Sequence, residues 1–161
     1  MIGRLRRIAA AGLLAGFTSV APAAAQTAPA QTAAVQVSPA QAGARPVALT
    51  LRLGYEMQCG YPGPGPVVVQ LPAAEMVPAR IARTAVLVNG KSAPGVQVTG
   101  RAVMVALPPR PQVMCDVIGP GTLTVVFTRA ARLGNPSRAG SYTVTATRGT
   151  TPVRARFTVQ S

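Results

Sequence analysis

Alternation with a period of two residues runs through the chain from Val47 to Val159. Val47, Leu49, Leu51 and Leu53 point one way, while Ala48, Thr50 and Arg52 point the other. At the far end, Val153, Ala155, Phe157 and Val159 alternate with Arg154, Arg156, Thr158 and Gln160. Successive side chains of a strand face opposite ways, so this pattern gives each strand one dry face and one wet face. A helix would need apolar residues three and four apart, and the pattern does not supply them.

The same reading extends to the segments between. Residues 67–71 form a short apolar run, predicted as a strand buried on both faces. Residues 84–88 lead into Asn89-Gly90, a strong hairpin-turn dipeptide. Residues 96–98 and 103–107 flank Thr99-Gly100-Arg101 and predict a second hairpin. Residues 122–128 alternate through Leu123, Val125 and Phe127, and Tyr142, Val144 and Ala146 alternate with threonines. Between Val47 and Ser161 there are 18 Val and 8 Leu, a β-branched excess that favours strands over helices. Pro and Gly recur every few residues and punctuate the strands. A helical turn fits only between Pro72 and Ile81, where Pro78 limits its length. Seven or eight short strands at this spacing predict an all-β fold, an antiparallel β-sandwich over residues 45–161.

The N-terminus has a different character. Arg4, Arg6 and Arg7 precede an uncharged, mostly apolar run over residues 8–20, and Ala23-Ala24-Ala25 supplies small residues for a peptidase. Residues 1–25 therefore read as a signal peptide, cut after Ala25. The run falls short of the roughly 20 residues that span a bilayer. Phe17 stands where a lipobox would carry its Cys, and the surroundings of Arg6-Arg7 do not complete a twin-arginine signal, so general secretion is expected. No second apolar run of spanning length follows, and the mature chain is expected in the periplasm or outside the cell. Residues 26–44, uncharged Ala, Gln, Thr, Pro and Val, read as a flexible tether. Pro29 and Pro39 argue against a helix there.

Composition excludes much chemistry. The chain has 16 Lys+Arg, 3 Asp+Glu and no His, with a net charge of +13. Without His there is no Ser-His-Asp triad, Cys-His pair or imidazole metal site. Glu56, Glu75 and Asp116 are the only carboxylates. They are scattered in sequence, which suits neither an oxygen-ligated metal nor a glycosidase pair. Ser92, Ser137 and Ser141 have no general base. The expectation is a protein that is not an enzyme, with no cofactor and no metal site. Specific nucleic-acid binding is not expected either, because only Tyr55 and Tyr61 offer a stacking platform near a loop.

Cys59 and Cys115 are the only cysteines. An even count in an exported chain predicts a disulfide rather than two free thiols. A redox pair would want C-x-x-C or an activating cation nearby, and Asp116 would work the other way. The run Pro62-Gly63-Pro64-Gly65-Pro66 reads as a stiff extended entry into the second strand.

Four sequence pieces in order resemble an Ig-like module of exported, cell-surface and S-layer-associated bacterial proteins. They are Leu71-Pro72, Val77-Pro78-Ala79-Arg80-Ile81, Val86-Leu87-Val88-Asn89-Gly90 and Asn135-Pro136-Ser137-Arg138-Ala139-Gly140-Ser141-Tyr142. The resemblance implies an Ig-like sandwich with no catalytic residues. It also implies a structural corner at Asn135, Pro136, Gly140 and Tyr142, with the Tyr142 hydroxyl tied back to the chain. The two cysteines and the strong basicity depart from that pattern.

In such folds the first and last strands are often neighbours, so Arg52, Arg154 and Arg156 would form a basic stripe. Arg129, Arg132, Arg138 and Arg148 would lie in loops nearby. Arginine pairs with carboxylate and phosphate through a planar fork. Two functions fit. One is a non-catalytic envelope or surface module for protein–protein or structural interactions. The other is a binder of an anionic ligand or envelope polymer through an arginine-rich face. The competing reading of the arginines is solubility and protection of sheet edges.

Overall fold

The structure, a computed structural model, describes residues 32–63, 65–109 and 115–161. The expected signal peptide and the first part of the expected tether lie outside the described residues. Ten strands form among them: β1 (Ala33–Ser38), β2 (Ala48–Gln58), β3 (Val67–Gln70), β4 (Val86–Val88), β5 (Lys91–Ser92), β6 (Val96–Thr99), β7 (Ala102–Val105), β8 (Ile118–Phe127), β9 (Gly140–Arg148) and β10 (Thr151–Val159). They make two antiparallel five-stranded sheets, ordered β1-β2-β8-β4-β5 and β10-β9-β3-β7-β6. The fold is an all-β sandwich, as the alternation requires.

The period of two is realised as burial. Leu49, Leu51 and Leu53 of β2, with Leu123, Val125 and Phe127 of β8, line the inner face of the first sheet. Val67 and Val69 of β3, Val103 and Val105 of β7, and Val144 and Ala146 of β9 line the other. Each buried Val, Leu or Phe among them contributes roughly 1.5–3 kcal/mol. Val68 is only half-buried, so β3 has one buried face and not two.

Labelling β1, β2, β3, β4, β8, β9 and β10 as A to G reproduces the ABED and CFG sheets of the immunoglobulin-like sandwich. The β6–β7 hairpin extends the second sheet beyond β3. The expected turns form. Asn89 and Gly90 both take positive φ, 48° and 82°, between β4 and β5. A 3-10 turn occupies Ala74–Met76, between Pro72 and Ile81.

Two expectations are corrected. The strand count is ten and not seven or eight, because β5 continues the Asn89-Gly90 hairpin for two residues and β1 lies inside the expected tether. Ala33 to Ser38 pair with β2 residue by residue, from Ala33 opposite Leu53 to Ser38 opposite Ala48. Val35 and Val37 pack half-buried against the core. Backbone pairing, not large side chains, holds this segment. Residues 39–44 are also tied in. The amides of Ala42 and Gly43 donate to the carbonyls of Gln160 and Pro136 at 2.7 and 2.8 Å.

Candidate binding surface

The outer face of the β10-β9-β3-β7-β6 sheet follows from the same alternation that builds the core. On β9, buried Val144 and Ala146 send Ser141, Thr143, Thr145 and Thr147 outward. On β10, buried Ala155, Phe157 and Val159 send Arg154, Arg156 and Thr158 outward. The register sets Arg156 opposite Thr143 and Arg154 opposite Thr145. On the other side of β9, Gln70 lies opposite Thr145 and Val68 opposite Thr147. The result is a column of hydroxyls spaced about 6.8 Å along β9, beside two arginines on the next strand, whose backbone runs about 4.8 Å away.

A third cation joins from the β6–β7 turn. Arg101 donates through Nη1 to the Pro72 carbonyl at 3.3 Å. With the Gln70 amide oriented to receive it, Oε1 accepts from Nε and Nη2 of Arg101, each at 3.2 Å. Gln70 thereby places Arg101 on the far side of the hydroxyl column from Arg154 and Arg156. None of the three side-chain carboxylates belongs to a strand of this sheet. Glu56 is on the outer face of the other sheet, Glu75 is in the Ala74–Met76 turn, and Asp116 follows Cys115 in the loop before β8.

The expected stripe of three arginines is not made. Arg52 belongs to β2, exposed between buried Leu51 and Leu53, so it points out from the first sheet. Arg154 and Arg156 point out from the second. The last strand, β10, lies beside β1 at the edges of different sheets, whereas β2, which carries Arg52, has β1 and β8 as its neighbours. Arg101 is the partner that sequence reasoning missed. Its place in the Thr99-Gly100-Arg101 turn predicts a hairpin but carries no mark of the face its side chain joins. Arg129 ends up in a 3-10 turn after β8, with Arg132 capping it, and Arg138 in the loop before β9.

Arg148 goes elsewhere. It falls on the inward side of β9, at the end of the sandwich near the cysteines, and its guanidinium lies 4.9 Å from the Tyr55 ring centroid. Leu53, Gly54, Tyr55, Ala146, Arg148 and Val153 enclose a cavity of about 30 Å³ there, room for about one water. Burial pushes the Tyr55 phenol up to about 12, and the Arg148 charge opposes that shift. Among the described residues the Tyr55 hydroxyl has no hydrogen-bond partner. A stacked cation over an un-ionised phenol packs this end of the sandwich. On the opposite side of the sheet from β10, an open groove of about 630 Å³ runs beside the edge strand β6, over Val96, Met104 and Leu107.

The cysteines and the corner are structural features. Cys59 and Cys115 are joined by a disulfide with Cα atoms 6.1 Å apart. It prolongs the β2–β8 ladder, where the Cys59 amide donates to the Val117 carbonyl at 2.8 Å. The Tyr142 hydroxyl donates to the Arg138 carbonyl at 2.8 Å, the tie of a tyrosine corner. Gly140 has φ of 156°, and a Cβ there would meet the Tyr142 ring at 3.6 Å. Buried Asn135 donates through Nδ2 to the carbonyls of Pro39 and Gln41, at 2.9 and 2.8 Å. Pro136 is buried beside it, its carbonyl taken by Gly43.

Glu56 sits near the disulfide end of β2, whereas the Glu75 carbonyl accepts from Arg45 at the opposite end. The two carboxylates cannot flank one bond. Among the described residues, no three His, Cys, Asp or Glu side chains come together, and no helix is long and apolar enough to cross a membrane.

No protein-family model and no curated protein matches the chain. Among solved structures it is similar to BslA, a bacterial hydrophobin, at 16% identity and a TM-score of 0.48, over 81% of this chain and 96% of that one. A likeness of that size carries no argument about function.

Proposed function

We propose that this chain is a non-catalytic, exported module that binds an acidic macromolecular partner of the cell envelope through the outer face of its second sheet. One observation carries the reading. Arg154 and Arg156 stand exposed in register with Thr145 and Thr143, on a sheet none of whose strands carries an Asp or Glu. Unneutralised guanidinium groups on a flat sheet attract anions and hold them by paired N–H donors. The signal-like N-terminus and the disulfide support an exported setting.

The test uses the mature chain and isolated cell envelopes. Sedimentation with envelopes should be strong at about 50 mM salt and largely lost by about 500 mM, where the screening length falls to about 4 Å. Arg154→Gln/Arg156→Gln should abolish most of it. Salt-insensitive binding that survives this double substitution would reject the face. It would point instead to the open edge of β6 and its adjoining groove, a geometry suited to pairing with an extended peptide.

A further inference from the structure

We infer that the acidic partner is a polysaccharide, laid across the hydroxyl column of β9 with its charged groups on the flanking arginines. This deepens the reading above and rests on it. Ser141, Thr143, Thr145 and Thr147 project from one face of one strand. Each hydroxyl both donates and accepts, as sugar hydroxyls do. Arg154 and Arg156 line one side of that column, and Arg101 is held on the other by Gln70 and the Pro72 carbonyl. Arg154 and the Gln70–Arg101 pair are two strand spacings apart, about 10 Å. Three of the five guanidinium N–H groups of Arg101 are engaged, so two remain for a ligand. An acidic sugar chain crossing the column would meet hydroxyls beneath its rings and guanidinium forks at its edges.

Two other polyanions fit less well. Single-stranded nucleic acid wants aromatic platforms for its bases. On β9 and β10 the aromatics face inward: Phe157 is buried and Tyr142 packs against it with ring centroids 5.9 Å apart. An acidic protein would want an apolar or aromatic centre to its footprint. Here the apolar side chains are the half-buried Val68, opposite Thr147 at one end of the column, and Met104 beyond it on β7, and neither is aromatic.

The experiment titrates the mature protein with polygalacturonate, neutral dextran and oligo-dT at about 50 mM salt, where electrostatic binding is retained. Polygalacturonate should bind and dextran should not. Arg154→Gln/Arg156→Gln should weaken polygalacturonate about tenfold or more, as expected for two charge-assisted contacts. Thr143→Val/Thr145→Val keeps shape and strand preference but removes two hydroxyls, and should weaken it about three- to tenfold. Arg52→Gln, on the other sheet, should change it less than about twofold. If oligo-dT binds as tightly as polygalacturonate and the threonine variant is silent, the glycan inference fails while the polyanion reading survives. If no polyanion binds, both fail.

Discussion

Asn135 shows how one side chain commits a distant segment. Its amide reaches 96 residues back to the Pro39 carbonyl and to that of Gln41, so the chain before β2 is fastened to the loop before β9. Its Oδ1 is buried and without a partner among the described residues. Asn135→Asp would therefore set a carboxylate against two carbonyl oxygens in a dry site. The expected loss is about 3 kcal/mol or more, since a buried charge left unpaired costs more than a lost neutral hydrogen bond. Asn135→Ala should cost less than that. Urea unfolding of the two variants at neutral pH would order them. A resemblance flagged Asn135 as part of a corner, but its partners were hidden because residues 39–41 carry no pattern of their own. Tyr142 was the opposite case. Its bond to the Arg138 carbonyl spans four residues and is local enough to be read from the segment around it.

Elements divide in the same way. Strands with large alternating side chains, such as β2, β8 and β10, were legible because burial needs that period. β1 was not. Its residues Ala33 to Ser38 alternate only weakly, and their stability comes from pairing with β2, which leaves no mark on composition. Deleting the chain through Ser38 should expose the β2 edge and remove Val35 and Val37 from the core. Two half-buried valines and their ladder predict a loss of about 2–4 kcal/mol by urea titration. A bare edge also invites pairing between copies, so the shortened protein should elute larger than its monomer in gel filtration. Unchanged stability would mean that the segment is indeed a tether. β5 was missed because a two-residue strand is shorter than any pattern that could announce it.

At the level of the whole molecule, the disulfide joins residues 56 apart in sequence, at the same end of the sandwich as the Tyr55–Arg148 stack. Closing a loop of that length restricts the unfolded chain by about 4 kcal/mol. Cys59→Ser/Cys115→Ser, or reduction of the native protein, should lower the unfolding midpoint by a corresponding amount while leaving the far-ultraviolet β signal intact below it. Loss of the β signal without denaturant would mean that the bond is needed for folding itself. The arginines also divide at this scale. Spacing of two along β10 put Arg154 and Arg156 on one face, as expected. The third member changed from Arg52 to Arg101, because membership of a sheet is a long-range matter. The sequence by itself determined the strand period, the inner and outer faces, the cysteine count and the shortage of carboxylates, since each follows from local spacing or arithmetic. Tertiary structure alone decided which outer faces adjoin, that β1 belongs to the sandwich, and that a turn arginine completes the surface. Those facts rest on backbone pairing and register between distant segments, and for Arg101 on its bonds to Gln70 and the Pro72 carbonyl, none of which local spacing announces.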